Sequence, residues 1–257
     1  MRKFLLLIPI ITGLFLSVIS AAQQTGTFYV AAKSGLSIRE TPDAGAKVLD
    51  KIPYGTRISL LEYGEEKKSI VTEGILGYWQ KVKYNNKTGY VVDSYLFPLP
   101  APALSTVKEM KQYLVQIAQP FGAKLTVKSG AMNNVEEGGW QMQKQLYKNG
   151  AEWHHFMGYE YGSDTYFLPD FSIQQAFLLV RLIPEFKEVF GEKEEFPLEN
   201  KTYKKGDREY KITVDKEVYG DYPWVKKISL EYEDGAIYSF EIYQADGQVV
   251  IFFGAGV

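Results

Sequence analysis

The 257-residue chain has no cysteine and only two histidines. The first absence excludes disulfides, thiolate nucleophiles, Cys-ligated zinc and the lipid-bearing cysteine of a lipoprotein. The second leaves a catalytic zinc short of histidine ligands, because three protein donors must converge on one ion. Neither sign of charge is in excess: 29 Lys and Arg against 31 Asp and Glu leave a formal charge of −2. That balance gives no electrostatic case for nucleic acid or an anionic membrane as partner. After residue 22 no apolar run is long enough to cross a bilayer as a helix. A Walker loop, a dinucleotide-binding glycine pattern, a G-x-S-x-G elbow and an EF-hand loop are also missing. Nothing in the sequence therefore calls for a cofactor or a metal.

Aromatic residues are plentiful: 19 Tyr, 15 Phe and 4 Trp, a supply that suits β-structure and sugar-stacking surfaces alike. The apolar fraction of 46% is enough to build the cores of one or two domains. Arg2 and Lys3 precede a charge-free apolar run from Phe4 to Ile19, and Ser20-Ala21-Ala22 fits a small-x-small cleavage pattern. The reading is an export signal over residues 1–22, cleaved after Ala22, with an uncleaved anchor as the alternative. The mature protein is expected to be periplasmic or secreted, with no stable membrane insertion.

From residue 27 to about 98, short β-type runs alternate with turn residues and no helical period fits, which points to a small all-β barrel. Gly35-Leu36-Ser37-Ile38-Arg39-Glu40-Thr41-Pro42 opens the stretch. Val48-Leu49-Asp50-Lys51-Ile52-Pro53-Tyr54-Gly55-Thr56 follows. Trp79-Gln80-Lys81-Val82-Lys83-Tyr84 and Gly89-Tyr90-Val91-Val92-Asp93-Ser94-Tyr95-Leu96 close it. In this order and spacing the segments resemble the bacterial SH3 (SH3b) family. The resemblance implies an SH3-like barrel that binds wall peptide or an envelope protein, although many such modules have no demonstrated ligand. The stretch Tyr63 to Gly77 is longer than the family's usual loop.

Alternation puts Gln80, Val82 and Tyr84 on one face of their strand and Trp79, Lys81 and Lys83 on the other. Val82 and Tyr84 read as core, which leaves Trp79 on the solvent side unless a bulge turns it inward. SH3-like barrels use such a Trp together with a Tyr near their last helical turn as a peptide groove. By that resemblance the candidate ligand-binding residues are Trp79, Tyr95 and Tyr54.

Phe97-Pro98-Leu99-Pro100-Ala101-Pro102 reads as an extended spacer, with the linker set at residues 99–104. Residues 105–257 read as an α+β domain with an antiparallel sheet and at least two helices. Thr106 to Glu109 has capping-box spacing ahead of Val107, Met110, Leu114 and Ile117, and Ser172 to Gln175 repeats it ahead of Ile173, Ala176, Phe177 and Val180. Asn149-Gly150, Asp234-Gly235 and Asp246-Gly247 predict hairpins, Gly162-Ser163-Asp164 predicts a further turn, and Val249 to Phe253 reads as a central strand.

Candidate chemistry is sparse. A cysteine-peptidase activity of the kind that often accompanies SH3b modules is excluded for want of the nucleophile. His154 and His155 are adjacent, so on a strand they face opposite ways. Ser105-Thr106-Val107-Lys108 and Lys87-Thr88-Gly89 mimic pieces of the penicillin-recognising signature in the wrong order. Glu152, Glu160 and Asp164 lie among aromatics and keep open a glycosidase, which needs only two carboxylates. The leading expectation is a non-enzymatic exported envelope protein. The alternatives are a peptidoglycan-active hydrolase with catalytic carboxylates in the second module, and a structural scaffold with no small ligand.

Overall fold

The computed structural model describes residues 26–61, 67–129, 138–220 and 222–257. The export segment expected over residues 1–22 lies outside them. Among the described residues the protein is mainly β, with antiparallel sheets and two α-helices.

The first module is two small sheets wrapped around one core. Strands β1 (Thr27–Val30), β4 (Arg57–Ser59) and β8 (Leu96–Phe97) form a sheet ordered β4-β1-β8. Strands β2 (Leu36–Arg39), β3 (Val48–Ile52), β5 (Ser69–Thr72), β6 (Ile75–Tyr84) and β7 (Lys87–Val92) form the other, ordered β3-β2-β7-β6-β5. Alternate residues from both, among them Val30, Ile38, Ile52, Val82 and Val91, are fully buried in the shared core. The long strand begins at Ile75, and β5 pairs with it across a tight Glu73-Gly74 turn.

The second module is one nine-stranded antiparallel sheet. Its strands are β9 (Pro120–Lys128), β10 (Gln141–Tyr147), β11 (Glu152–Gly158), β12 (Tyr161–Pro169), β13 (Lys201–Lys205), β14 (Arg208–Tyr219), β15 (Tyr222–Glu233), β16 (Ile237–Ala245) and β17 (Gln248–Gly256), ordered β13-β14-β15-β16-β17-β12-β11-β10-β9. The apolar run at Val249–Ile251 is central, as its composition predicts: β17 lies between β16 and β12 and all three residues are fully buried. One face of this sheet is packed under helices α1 (Met110–Ile117) and α2 (Ile173–Leu182). Tyr203, Tyr210, Tyr232 and Tyr238 stack across four strands of that face, with ring centroids 4.8–5.2 Å apart. Such cross-strand aromatic pairs pin the register.

Two local expectations need correction. Helix α1 starts three residues late: Glu109, not Thr106, is the N-cap, in a reciprocal box with Gln112. Glu185 completes that end by accepting the Met110 N–H at 2.7 Å, so Val107 is buried without being helical. The hairpin after β11 turns at Tyr159-Glu160, where Glu160 takes φ 51°, and Gly162-Ser163-Asp164 is strand. The Ser172 box is as the spacing predicts, with Ser172 Oγ accepting from Gln175 N at 3.2 Å. Ser172→Ala should lower stability by about 1 kcal/mol; thermal denaturation monitored by circular dichroism measures it.

The two modules share a core. Ala31, Ile75 and Phe97 of the first pack with Phe171, Phe177 and Val180 of the second in one apolar cluster. The proline-rich segment lies against this junction: Ala101 is buried, and the Pro102 carbonyl accepts from Tyr54 Oη at 2.7 Å. Gln175 Nε2 donates to the Leu96 carbonyl, and Tyr222 Oη donates to that of Gly74, each at 2.7 Å. The segment expected to space the modules therefore helps to join them.

Candidate functional site

A 3-10 turn, Asp93–Tyr95, carries the tyrosine singled out by the sequence. Asp93 fixes that turn to β6, its carboxylate accepting from Tyr78 N and Gln80 Nε2, both at 2.7 Å. Gly77 makes the approach possible: a Cβ there would sit 2.0 Å from Ser94 Oγ. Burial raises the Asp93 pKa, and the two hydrogen bonds only partly offset it. A raised folded-state pKa means that the group's stabilising contribution is complete at low pH and is lost as pH rises through that value. Asp93→Asn lacks this ionisation. Its stability relative to the natural protein should therefore improve as pH rises above about 4, the ordinary carboxylate value, measured by urea denaturation at each pH.

Above this turn, between the modules, lies a cleft of about 620 Å³. The first module supplies β2 with Ser37 and Arg39, β5 with Ile70 and Thr72, and the Tyr95 ring. The second supplies Leu178, Arg181 and Leu182 from the last turns of α2, then Glu192 and Lys193. Tyr95 is half-buried and packs against both cores, and desolvation, with Glu73 beside it, pushes its hydroxyl pKa up.

The three candidates from the sequence fare differently. Trp79 is on the face opposite Val82, as alternation predicts, and it lies outside the barrel core. Its expected solvent exposure is corrected: the side chain is only 4% exposed and borders the cleft with little more than an edge. Its cross-strand neighbour on that face is Val92, and Ile70 lines the cleft beside it. Tyr95 reaches the same cleft. Tyr54 does not; its hydroxyl is bonded to Pro102 and its ring packs against the shared core.

Arg181 is the residue that sequence reasoning missed. Its side chain is 8% exposed, and one nitrogen donates to Glu73 Oε2 at 2.7 Å across the module boundary. A second donates to the Glu192 carbonyl, while Nε is buried without a partner. A lone cation in the apolar second half of α2, Ala176 to Leu182, was the available signal. Lys33 and Glu192 form a second ion pair across the same boundary. Glu192 itself lies in an exposed loop, its side chain 70% exposed.

The chemistry considered for the second module is not assembled. His154 bonds Glu152 at 2.9 Å, whereas His155 bonds Asp164 at 3.1 Å, on opposite faces of β11. Glu152 and Asp164 are thereby on opposite faces of the sheet and cannot flank one glycosidic bond. Glu152 is also paired with Lys144 at 2.6 Å, and Asp164 holds Trp153 Nε1 at 2.6 Å. Glu160 sits in the hairpin turn. Among the described residues no group of three His, Asp or Glu side chains is placed to hold a metal.

Residues 34–97 match the family model described as the bacterial SH3 domain. No curated protein and no solved structure gives a significant match to the chain. Residues 34–97 therefore carry the bacterial SH3 domain that their motifs resemble.

Proposed function

We propose that this is an exported, non-enzymatic envelope protein that holds a wall peptide in the cleft between its bacterial SH3 domain and its second module. Bacterial SH3 domains imply cell-wall recognition, and the observation that supports this reading is the 620 Å³ cleft bordered by Tyr95. A cavity of that size is in the range of small-ligand sites, and its walls mix apolar side chains with a few charged ones. The proposed ligand surface differs from a groove built on a solvent-exposed Trp79. It is a slot with Tyr95 on one side and α2 on the other. Trp79 serves mainly to support it.

The test is co-sedimentation of the mature full chain with purified peptidoglycan, beside a variant whose cleft is filled by Ser37→Trp. Retention that depends on an open cleft supports the reading. Retention untouched by the filling removes it. The hydrolase alternative loses one carboxylate pair, Glu152 with Asp164, because the sheet separates them.

A further inference from the structure

The cleft carries more positive charge than a groove for a neutral ligand needs. Lys33, Arg39, Arg181 and Lys193 line it against only Glu73 and Glu192. Two of the four cations are neutralised internally, Lys33 by Glu192 and Arg181 by Glu73. Among the described residues Arg39 and Lys193 form no ion pair. Arg39 Nη1 donates to the Ala46 carbonyl at 2.7 Å, a neutral acceptor that anchors the guanidinium without cancelling its charge. The remaining positive charge of the slot is carried by the half-buried Arg39 and by Lys193, which sits at the exposed rim beside Glu192.

Their placement is informative. Arg39 extends from β2 of the SH3 domain, whereas Lys193 follows α2 on the second module. An anion in the cleft would be addressed by both modules at once. The same walls include Ile70, Tyr95, Leu178 and Leu182, which offer apolar contact to whatever carries the anion. A cleft with low-dielectric walls and one sign of surplus charge concentrates ligands of the other sign, and a guanidinium fork suits a carboxylate. The buried Arg181 Nε, without an acceptor, adds an unmet donor at the same wall.

We propose that the cleft selects a peptide bearing a free carboxylate next to an apolar group, with the carboxylate held between Arg39 and Lys193. This rests on the cleft being the ligand site. It adds that the second module, through Lys193, sets the ligand's charge. A phosphate ester offers a similar oxyanion, so the experiment separates the two sources.

The probes are acetyl-alanyl-glutamate, its fully amidated counterpart and glycerol 3-phosphate, each titrated into the mature full chain by calorimetry. The diacid should bind about tenfold or more tightly than the amide, and more tightly than glycerol phosphate. Arg39→Gln and Lys193→Gln should each weaken the diacid about five- to tenfold and leave the amide unchanged. Raising the salt concentration should weaken the diacid as well. Equal binding of acid and amide, a preference for glycerol phosphate, no binding of any probe, or a diacid preference that survives both substitutions would each overturn the proposal. Failure here is distinct from failure of the cleft reading. If filling the cleft with Ser37→Trp abolishes wall retention while acid and amide bind alike, the site stands and the charge preference falls. If filling leaves retention intact, the cleft itself is not the site. Thermal melts of both charge variants verify that they fold.

Discussion

Phe97→Ala should destabilise both modules together, by about 3–5 kcal/mol. Phe97 belongs to β8, the last strand of the SH3 region, yet its side chain is not in the barrel core. Strand alternation sends Leu96 into the barrel and Phe97 the other way, into the shared cluster, where its ring is 5.4 Å from that of Phe171. Two adjacent residues therefore serve two cores. Truncating Phe97 leaves a cavity at the seam, and a typical domain has only about 5–15 kcal/mol of stability in total. Native-state hydrogen exchange is the measurement. Protected amides of β6 and of β17 should open with the same free energy in the natural protein and fall by the same amount in the variant. A loss confined to one module would show that the seam is not part of a common cooperative unit. By the same reasoning residues 26–98 alone should be poorly stable, since excision bares Ala31, Ile75 and Phe97.

That seam marks the limit of what the sequence disclosed. Elements set by local chemistry were legible: the Ser172 cap, the Asn149-Gly150 turn, and the continuous apolar run that became the central β17. Each depends on backbone preferences within a few residues. The α1 cap was misplaced because Thr106 and Glu109 have the right spacing, but Glu185, 75 residues away from Met110, stabilises the later start. The Tyr159-Glu160 turn was missed because Glu160 takes a positive φ that side chains other than glycine and asparagine rarely adopt. For the site, alternation gave the correct face of Trp79 and the wrong exposure. Periodicity tells which side of a strand a residue takes; it carries no information about what packs on that side. Arg181, the partner of Glu73 at the same cleft, lies 108 residues further along the chain. Tyr95 was legible through resemblance to the family, whereas Arg181, Lys33, Glu73 and Lys193 enter the cleft only through tertiary structure.

The second large expected effect is on binding. Ser37→Trp should reduce retention on peptidoglycan at least about tenfold while changing stability by no more than about 0.5 kcal/mol. Ser37 lies between Leu36 and Ile38, whose side chains enter the barrel core, so its own side chain points away from that core and into the cleft. An indole there occupies ligand space without entering either packed interior. Tyr95→Ala is a less clean test, because Tyr95 packs against both cores and its loss would weaken the fold as well. Comparing the two separates occlusion from destabilisation: Ser37→Trp should melt at nearly the natural temperature and still fail to sediment with the wall. If it sediments as well as the natural protein, the cleft is not where the wall is bound.

The central claim is that one ligand is held by both modules at their boundary. Amide chemical-shift mapping of the mature full chain, titrated with soluble peptides released from peptidoglycan, tests it most directly. The account predicts that shifts at Ser37 and Arg39 of β2, at Thr72 of β5 and at Tyr95 appear together with shifts at Leu178, Arg181 and Lys193, and follow one binding curve. Shifts confined to the SH3 domain, or found on the outer face of the nine-stranded sheet, would contradict it.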